Sequence, residues 1–231
     1  IEAPTKKEII LLSNIYAQMG VIDPAFEIIE NEISKTPNSE LFLEQKLHLS
    51  KKNREWEQAI LTLSQISKLS SKHKAMRIKD LVELSLKADQ TEEALKWIAT
   101  WKKISASSTT PHIQEASIYR NKMDFEKSTE VLKKAMFKFP DNKSLPNLLA
   151  QDLRASGKIK EAKSVYWRMA NKSEELAEKL AHIRSIIQLS QNDDSTHELA
   201  QKLQARLENN PKSIFPPLAL AELNRHSGFY E

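Results

Sequence analysis

In Gly157-Lys158-Ile159-Lys160-Glu161-Ala162, a small residue, a polar residue, an apolar residue, two more polar residues and an alanine follow one helical run and open another. The same six-residue pattern recurs as Arg54-Glu55-Trp56-Glu57-Gln58-Ala59, as Asp89-Gln90-Thr91-Glu92-Glu93-Ala94 and as Met123-Asp124-Phe125-Glu126-Lys127-Ser128. Gly20 to Ala25 follows it loosely, and Gly228-Phe229-Tyr230-Glu231 reads as its first four residues. Its last position falls at Ala25, Ala59, Ala94, Ser128 and Ala162, at intervals of 34, 35, 34 and 34 residues. A period of that length marks a supersecondary unit that buries its apolar face only by stacking on its neighbours, so the chain reads as a helical solenoid.

Composition narrows the units to helices. The 231 residues contain three glycines, Gly20, Gly157 and Gly228, too few for the tight turns of a many-stranded sheet. Leu, Ala, Lys, Glu, Ser and Ile dominate, and most of these favour helices. The predicted fold class is all-α. With no cysteine, disulfides, thiolate chemistry and cysteine-based zinc sites are excluded, while a cytoplasmic and a periplasmic setting fit equally well. The longest apolar runs, such as Ile9 to Leu12, fall far short of the roughly 20 residues of a membrane span. The chain starts with Ile1 and closes where a helix is due to begin, so it is read as a piece of a longer repeat protein.

Numbering the small residue as repeat position 20 sets the register. It gives units of about 6–39, 40–74, 75–108, 109–142, 143–179 and 180–213, with a partial unit at 214–231, all in one domain. In the first, Ile9, Leu12, Ile15, Tyr16 and Met19 form a helical stripe that Gly20 ends, and Asp23-Pro24 is expected to cap and open the second helix. Helices are expected at Leu41–Lys52, Trp56–Leu69, Ile78–Lys87 and Thr91–Ile104, with Pro111 as a helix-opening residue. Pro37, Pro140 and Pro211 each fall twelve residues past position 20, where a proline stops the second helix. The sixth unit has Leu199 at position 20 and Asp193-Asp194 in its turn; it lies 37 residues after Ala162, which predicts about three extra residues in the loop before it.

Small residues at position 20, apolar ones at position 17 (Ile22, Trp56, Phe125, Ile159), aromatics at position 11 (Tyr16, Tyr119) and proline at position 32 resemble the tetratricopeptide repeat family. The chain departs from that pattern at position 8, where only Ser13, Ala116 and Ala150 are small, and at position 27, where Ala135 alone fits. The resemblance implies a right-handed superhelical solenoid of antiparallel helix pairs, about six and a half repeats long, whose first helices line a concave groove.

Catalytic chemistry finds no foothold. The six histidines never pair at i, i+4 on one helix, so no metal site is predicted. Glycines this far apart preclude phosphate-cradling loops and a Gly-x-Ser-x-Gly elbow. Asp193-Asp194 lacks the alternating ligands of a calcium loop and reads as a turn. The four tryptophans fall at packing spacings. The chain is therefore expected to be no enzyme and to need no cofactor.

Mapped through the resemblance, the groove positions 2, 5, 9, 12 and 13 hold eight basic residues, Lys7, Lys51, Lys52, Lys79, Lys87, Arg120, Arg154 and Arg184, against Glu44 and Glu83. That is +6 on one face of a chain whose total is +4. Asn14, His48, Asn121, Asn147 and Gln151 add polar groups able to bond an extended backbone. The expected function is a protein-binding scaffold that takes an acidic peptide or protein segment in this groove. Ile10 stands where a lysine would accompany Asn14 in members that clamp acidic C-terminal tails, so that specificity is not expected. The alternatives are single-stranded nucleic-acid binding, weakened by the scarcity of aromatics on the face, and a structural spacer or self-association arm.

Overall fold

A computed structural model describes residues 4–70, 73–190 and 195–227. Gly228 to Glu231 and the Asp193-Asp194 turn lie outside the described residues, within which there are thirteen α-helices and no strand. The chain divides between Pro111 and His112 into two compact units.

The first unit holds α1 (Lys6–Gln18), α2 (Ile22–Lys35), α3 (Glu40–Lys52), α4 (Trp56–Leu69), α5 (Lys74–Lys87) and α6 (Thr91–Ile104). The second holds α7 (Thr110–Asn121), whose first two residues precede the division, then α8 (Phe125–Lys138), α9 (Ser144–Ala155), α10 (Ile159–Lys172), α11 (Leu176–Gln188), α12 (Ser195–Asn209) and α13 (Phe215–Ser227). Three residues separate the helices within each of the first five hairpins, and such a short turn folds the second helix back antiparallel to the first.

The first residue of the six-residue pattern is what makes those turns. Gly20, Arg54, Asp89, Met123 and Gly157 all adopt left-handed backbone, at φ +79°, +60°, +57°, +59° and +75°. The N–H of the next residue then reaches back to the last turn of the first helix: Val21 to Tyr16 O at 3.0 Å, Glu55 to Ser50 O at 2.9 Å, Gln90 to Ser85 O at 2.8 Å, Asp124 to Tyr119 O at 2.9 Å and Lys158 to Leu153 O at 2.8 Å. This is the Schellman closure, which satisfies carbonyls that a helix end leaves orphaned. Glycine adopts the geometry freely, whereas Arg54, Asp89 and Met123 hold it at a cost of about 1 kcal/mol each.

The small residue five positions later sits at the helix crossing. Ala25, Ala59, Ala94, Ser128 and Ala162 are all fully buried. In the first hairpin the crossing carries a hydroxyl bond as well, Ser13 Oγ donating to Ala25 O at 3.3 Å, and in the fourth Ser128 Oγ packs 2.9 Å from Ala116 O. Pro37, Pro140 and Pro211 each stand two residues past a helix end, consistent with their expected role as stops. Apolar side chains then fill the seams between hairpins. Ala17, Ala25, Ile29, Phe42 and Leu49 join α1, α2 and α3. In the second unit Leu132, Ala135, Leu145, Leu149 and Leu153 do this for α8 and α9, and Ala170, Ile183, Ile187, Leu203 and Ala219 link α10 through α13.

Three local expectations differ from the structure. Asp23 does not cap α2: the helix opens at Ile22, two residues ahead of Pro24, after Val21 and with no side-chain cap, because the three-residue turn shared by the first five hairpins fixes where the second helix starts. α5 opens at Lys74 rather than Ile78, its start set by left-handed backbone at His73. The extra residues near the sixth unit lie between α11 and α12, which are six residues apart, and not ahead of α11, which opens at Leu176 directly after a three-residue connection.

Candidate functional site

The candidate binding residues all lie on, or at the end of, first helices of hairpins, and the structure divides them by what they touch. In the first unit Lys51, on α3, reaches Asp80 of α5 at 3.4 Å, and Lys79 pairs with Glu83 one turn along α5 at 3.5 Å. Lys52 donates to Ala17 O at the end of α1 at 2.6 Å, filling an orphan carbonyl of the neighbouring hairpin. Asn14 accepts from Gln45 Nε2 at 2.7 Å, and the same amide donates to Ser13 Oγ at 3.2 Å. Lys87 stands over the Trp56 ring at 4.9 Å, a cation–π contact that holds the ammonium without neutralising it. His48 is exposed.

In the second unit Arg120, at the end of α7, directs Nε to Asp152 Oδ1 of α9 at 2.5 Å. Asp152 is 1% exposed, and its other oxygen lies 2.5 Å from Ser128 Oγ on α8. The single Ser128 proton goes to the carboxylate, a stronger acceptor than the Ala116 carbonyl nearby. One buried acid thus ties together three helices, α7, α8 and α9. Arg184 on α11 pairs with Glu222 of α13 at 2.6 Å, and that hydrogen bond holds the Glu222 carboxyl below the ordinary carboxylate range. Asn147 Nδ2 donates to the O of Lys143, the residue just ahead of its own helix, at 3.3 Å. Asn121 and Gln151 are exposed. Arg154 is exposed too, and its guanidinium has no partner among the described residues.

Of the three carboxylates that set this balance, Asp80 and Asp152 stand at repeat positions 6 and 10, outside the groove positions read from the register, whereas Glu222 falls at position 9 of the partial unit. Each lies about one repeat beyond its cation: 29 residues past Lys51, 32 past Arg120 and 38 past Arg184. An acid near one period downstream of a base is the sequence signal for such a pair. The first unit also holds a cation that the register did not single out. Arg77 on α5 is buried, donates to Ile66 O at 3.3 Å and Ser70 O at 3.2 Å at the end of α4, and pairs with Glu40 of α3. It caps one helix while clamping the next hairpin to it.

Within each unit the first helices therefore carry two kinds of cation. Lys51, Lys79, Arg120 and Arg184 are turned into the protein's own acids, whereas Lys7, Lys87 and Arg154 keep their charge with no acidic partner among the described residues. Within those residues no cluster of three or more His, Asp or Glu gathers as a metal site would need, and no helix is long and apolar enough to cross a membrane.

No protein-family model and no curated protein matches the chain. Among solved structures it is similar to several tetratricopeptide-repeat proteins. MamA aligns with a TM-score of 0.47 at 15% identity, over 73% of this chain and 95% of that one. PilF of Pseudomonas aeruginosa aligns at 0.45 and 15% identity, over 94% and 96%. A tetratricopeptide repeat protein of Parabacteroides merdae aligns at 0.43 and 14% identity, over 93% and 82%.

Proposed function

We propose that this chain is a non-catalytic scaffold whose first helices hold an extended, acidic segment of a partner protein. The observation that carries the reading is an unneutralised cation at the end of a first helix within each unit, Lys87 of α5 in the first and Arg154 of α9 in the second, each taken by itself. Around Arg154, Gln151 is exposed on the same helix and offers both a donor and an acceptor to a passing backbone. The mechanism is preorganisation: packed hairpins fix these groups before the ligand arrives, so most of the ordering entropy falls on the ligand. The paired cations contribute less to capture, because a carboxylate of the ligand would have to displace one already in place.

A nucleic-acid ligand has weaker support, since rings that could stack on bases are engaged within the protein. Trp56 lies under Lys87, and Trp167 lies under Arg206 at 5.3 Å. The test is fluorescence anisotropy with a labelled glutamate-rich peptide, a neutral peptide of equal length and a single-stranded RNA, each titrated at low and moderate salt. The reading requires saturable binding of the acidic peptide that weakens with salt and falls severalfold in Lys87→Ala and Arg154→Ala. Indifference to both substitutions, or tighter binding of the RNA, contradicts it.

A further inference from the structure

The second helices of the hairpins carry a surface unrelated to the groove cations, and its charge differs between the units. On α2, α4 and α6 seven acids stand against five lysines. α8 holds four lysines against Glu126 and Glu130, and α10 holds three lysines and Arg168 against Glu161. These two helices thus carry a net +5, more than the +4 of the whole chain. They are bridged by Lys133 and Glu161 at 3.4 Å, and Lys158, just ahead of α10, reaches Glu126 at 3.6 Å. Lys134 takes Glu130 at 2.6 Å. Each acid of the two helices is thereby engaged, while Lys138, Lys160 and Arg168 are exposed and have no acidic partner among the described residues. The engaged lysines are exposed as well, and pairs of that kind are weak enough to be exchanged for another anion.

Phe137 stands among these charges. Its side chain is 93% exposed, more than any other large apolar side chain among the described residues. Lys133 and Lys134 lie one turn before it on α8, and Lys138 follows it. The other rings of α8 and α10 are half-buried: Phe125 at the start of α8, Tyr166 stacked on His182, and Trp167 under Arg206. A lone exposed ring gives successive bases no platform, which disfavours single-stranded RNA as the ligand. One ring encircled by long, flexible cationic side chains suits the boundary of an anionic bilayer. There the phenyl group enters among the headgroups while the lysine stems lie along it and hold their ammonium groups at the level of the lipid phosphates and carboxylates.

We infer that the exposed face of α8 and α10 docks on a membrane surface rich in anionic lipid, with Phe137 entering the headgroup layer and Lys138, Lys160 and Arg168 supplying charge that no acid of the protein neutralises. One ring and a few cations make a reversible, salt-sensitive contact that lies on the bilayer and does not span it.

The test is co-sedimentation of the whole chain with vesicles of phosphatidylcholine alone and with vesicles of phosphatidylcholine and phosphatidylserine in equal parts. The chain should bind the mixed vesicles, release them as salt rises, and ignore phosphatidylcholine alone. Phe137→Ala should weaken binding about tenfold, and the double variant Lys138→Glu, Arg168→Glu at least as much. Leu61→Ala, at an exposed leucine of α4, should bind like the parent, and circular dichroism checks that each variant is folded. Because the chain has no cysteine, Phe137→Cys accepts a single environment-sensitive fluorophore, whose emission should shift to the blue on the mixed vesicles only. The inference fails if the mixed vesicles do not bind, if phosphatidylcholine alone binds as well, if Phe137→Ala binds like the parent, or if the fluorophore does not shift on vesicles that carry the chain. It also fails if single-stranded RNA strips the chain from the vesicles and itself binds Phe137→Ala more weakly than the parent, since the face then serves nucleic acid.

Discussion

Lys51 and Arg120 occupy the same place in their repeats, yet the structure uses them differently. Lys51 meets Asp80, whose side chain is 35% exposed, across an open edge between α3 and α5. Arg120 meets Asp152, which is sealed between hairpins and also takes the Ser128 hydroxyl. The difference comes from the acid. Asp80 sits at repeat position 6, on the rim, and Asp152 at position 10, where other repeats carry the buried Leu49, Leu84 and Ile118. An exposed lysine pair contributes about 0–1 kcal/mol, while breaking a buried, fully bonded pair costs about 3–5 kcal/mol because a charge is left unmatched. Register thus locates a cation, but the burial of its partner decides whether it is a joint or a surface charge.

Removing one partner of each pair separates these roles. Arg120→Ala should strand the buried Asp152 and lower the stability of the second unit by about 3 kcal/mol in urea denaturation. A loss below about 1 kcal/mol would place the Arg120 pair in the same class as the Lys51 pair. Next in size are the turns. An added Cβ at Gly157 meets nothing within 4 Å, so Gly157→Ala should cost only the backbone strain, about 1 kcal/mol, while Met123→Gly should relieve a comparable strain. The two shifts in denaturation midpoint should be opposite in sign. Lys51→Ala should cost less than about 0.5 kcal/mol, with an effect that fades as salt rises.

The smallest expected effect is on pH. Burial holds the His182 imidazole, stacked on Tyr166, below its ordinary value, against a weaker upward pull from Glu178. The unfolded chain then takes up that proton more readily than the folded one. The contribution of His182 to stability is therefore fully present above the ordinary imidazole value and is lost as pH falls through that value toward the folded one. Thermal midpoints measured across that range should decline on acidification, and His182→Gln should flatten the decline.

How much of this was readable in the chain depends on how local each feature is. The hairpin register was legible because its two markers act at single positions: the left-handed turn residue and the small residue at the crossing. α4 and α6 run from Trp56 to Leu69 and from Thr91 to Ile104, as the periodicity predicts. The start of α2 was misplaced because a side-chain preference at Asp23 yields to a turn geometry common to all five hairpins. The Lys51 and Arg120 pairs were not legible from the face positions alone, since each needs an acid on the following first helix away from those positions, and only the packing shows whether that acid is on the rim or in the seam. Arg77 was missed for the same reason, as two of its acceptors are main-chain carbonyls with no sequence signature.

The central claim is that cations on the first helices divide into joints and ligand contacts according to whether the protein already pairs them. Its most direct test measures thermal unfolding and acidic-peptide affinity side by side for Arg120→Ala and Arg154→Ala. The account predicts that Arg120→Ala lowers the melting temperature by several degrees, whereas Arg154→Ala melts like the parent and binds the peptide severalfold more weakly. It is contradicted if Arg120→Ala melts like the parent, or if Arg154→Ala retains full affinity for the peptide.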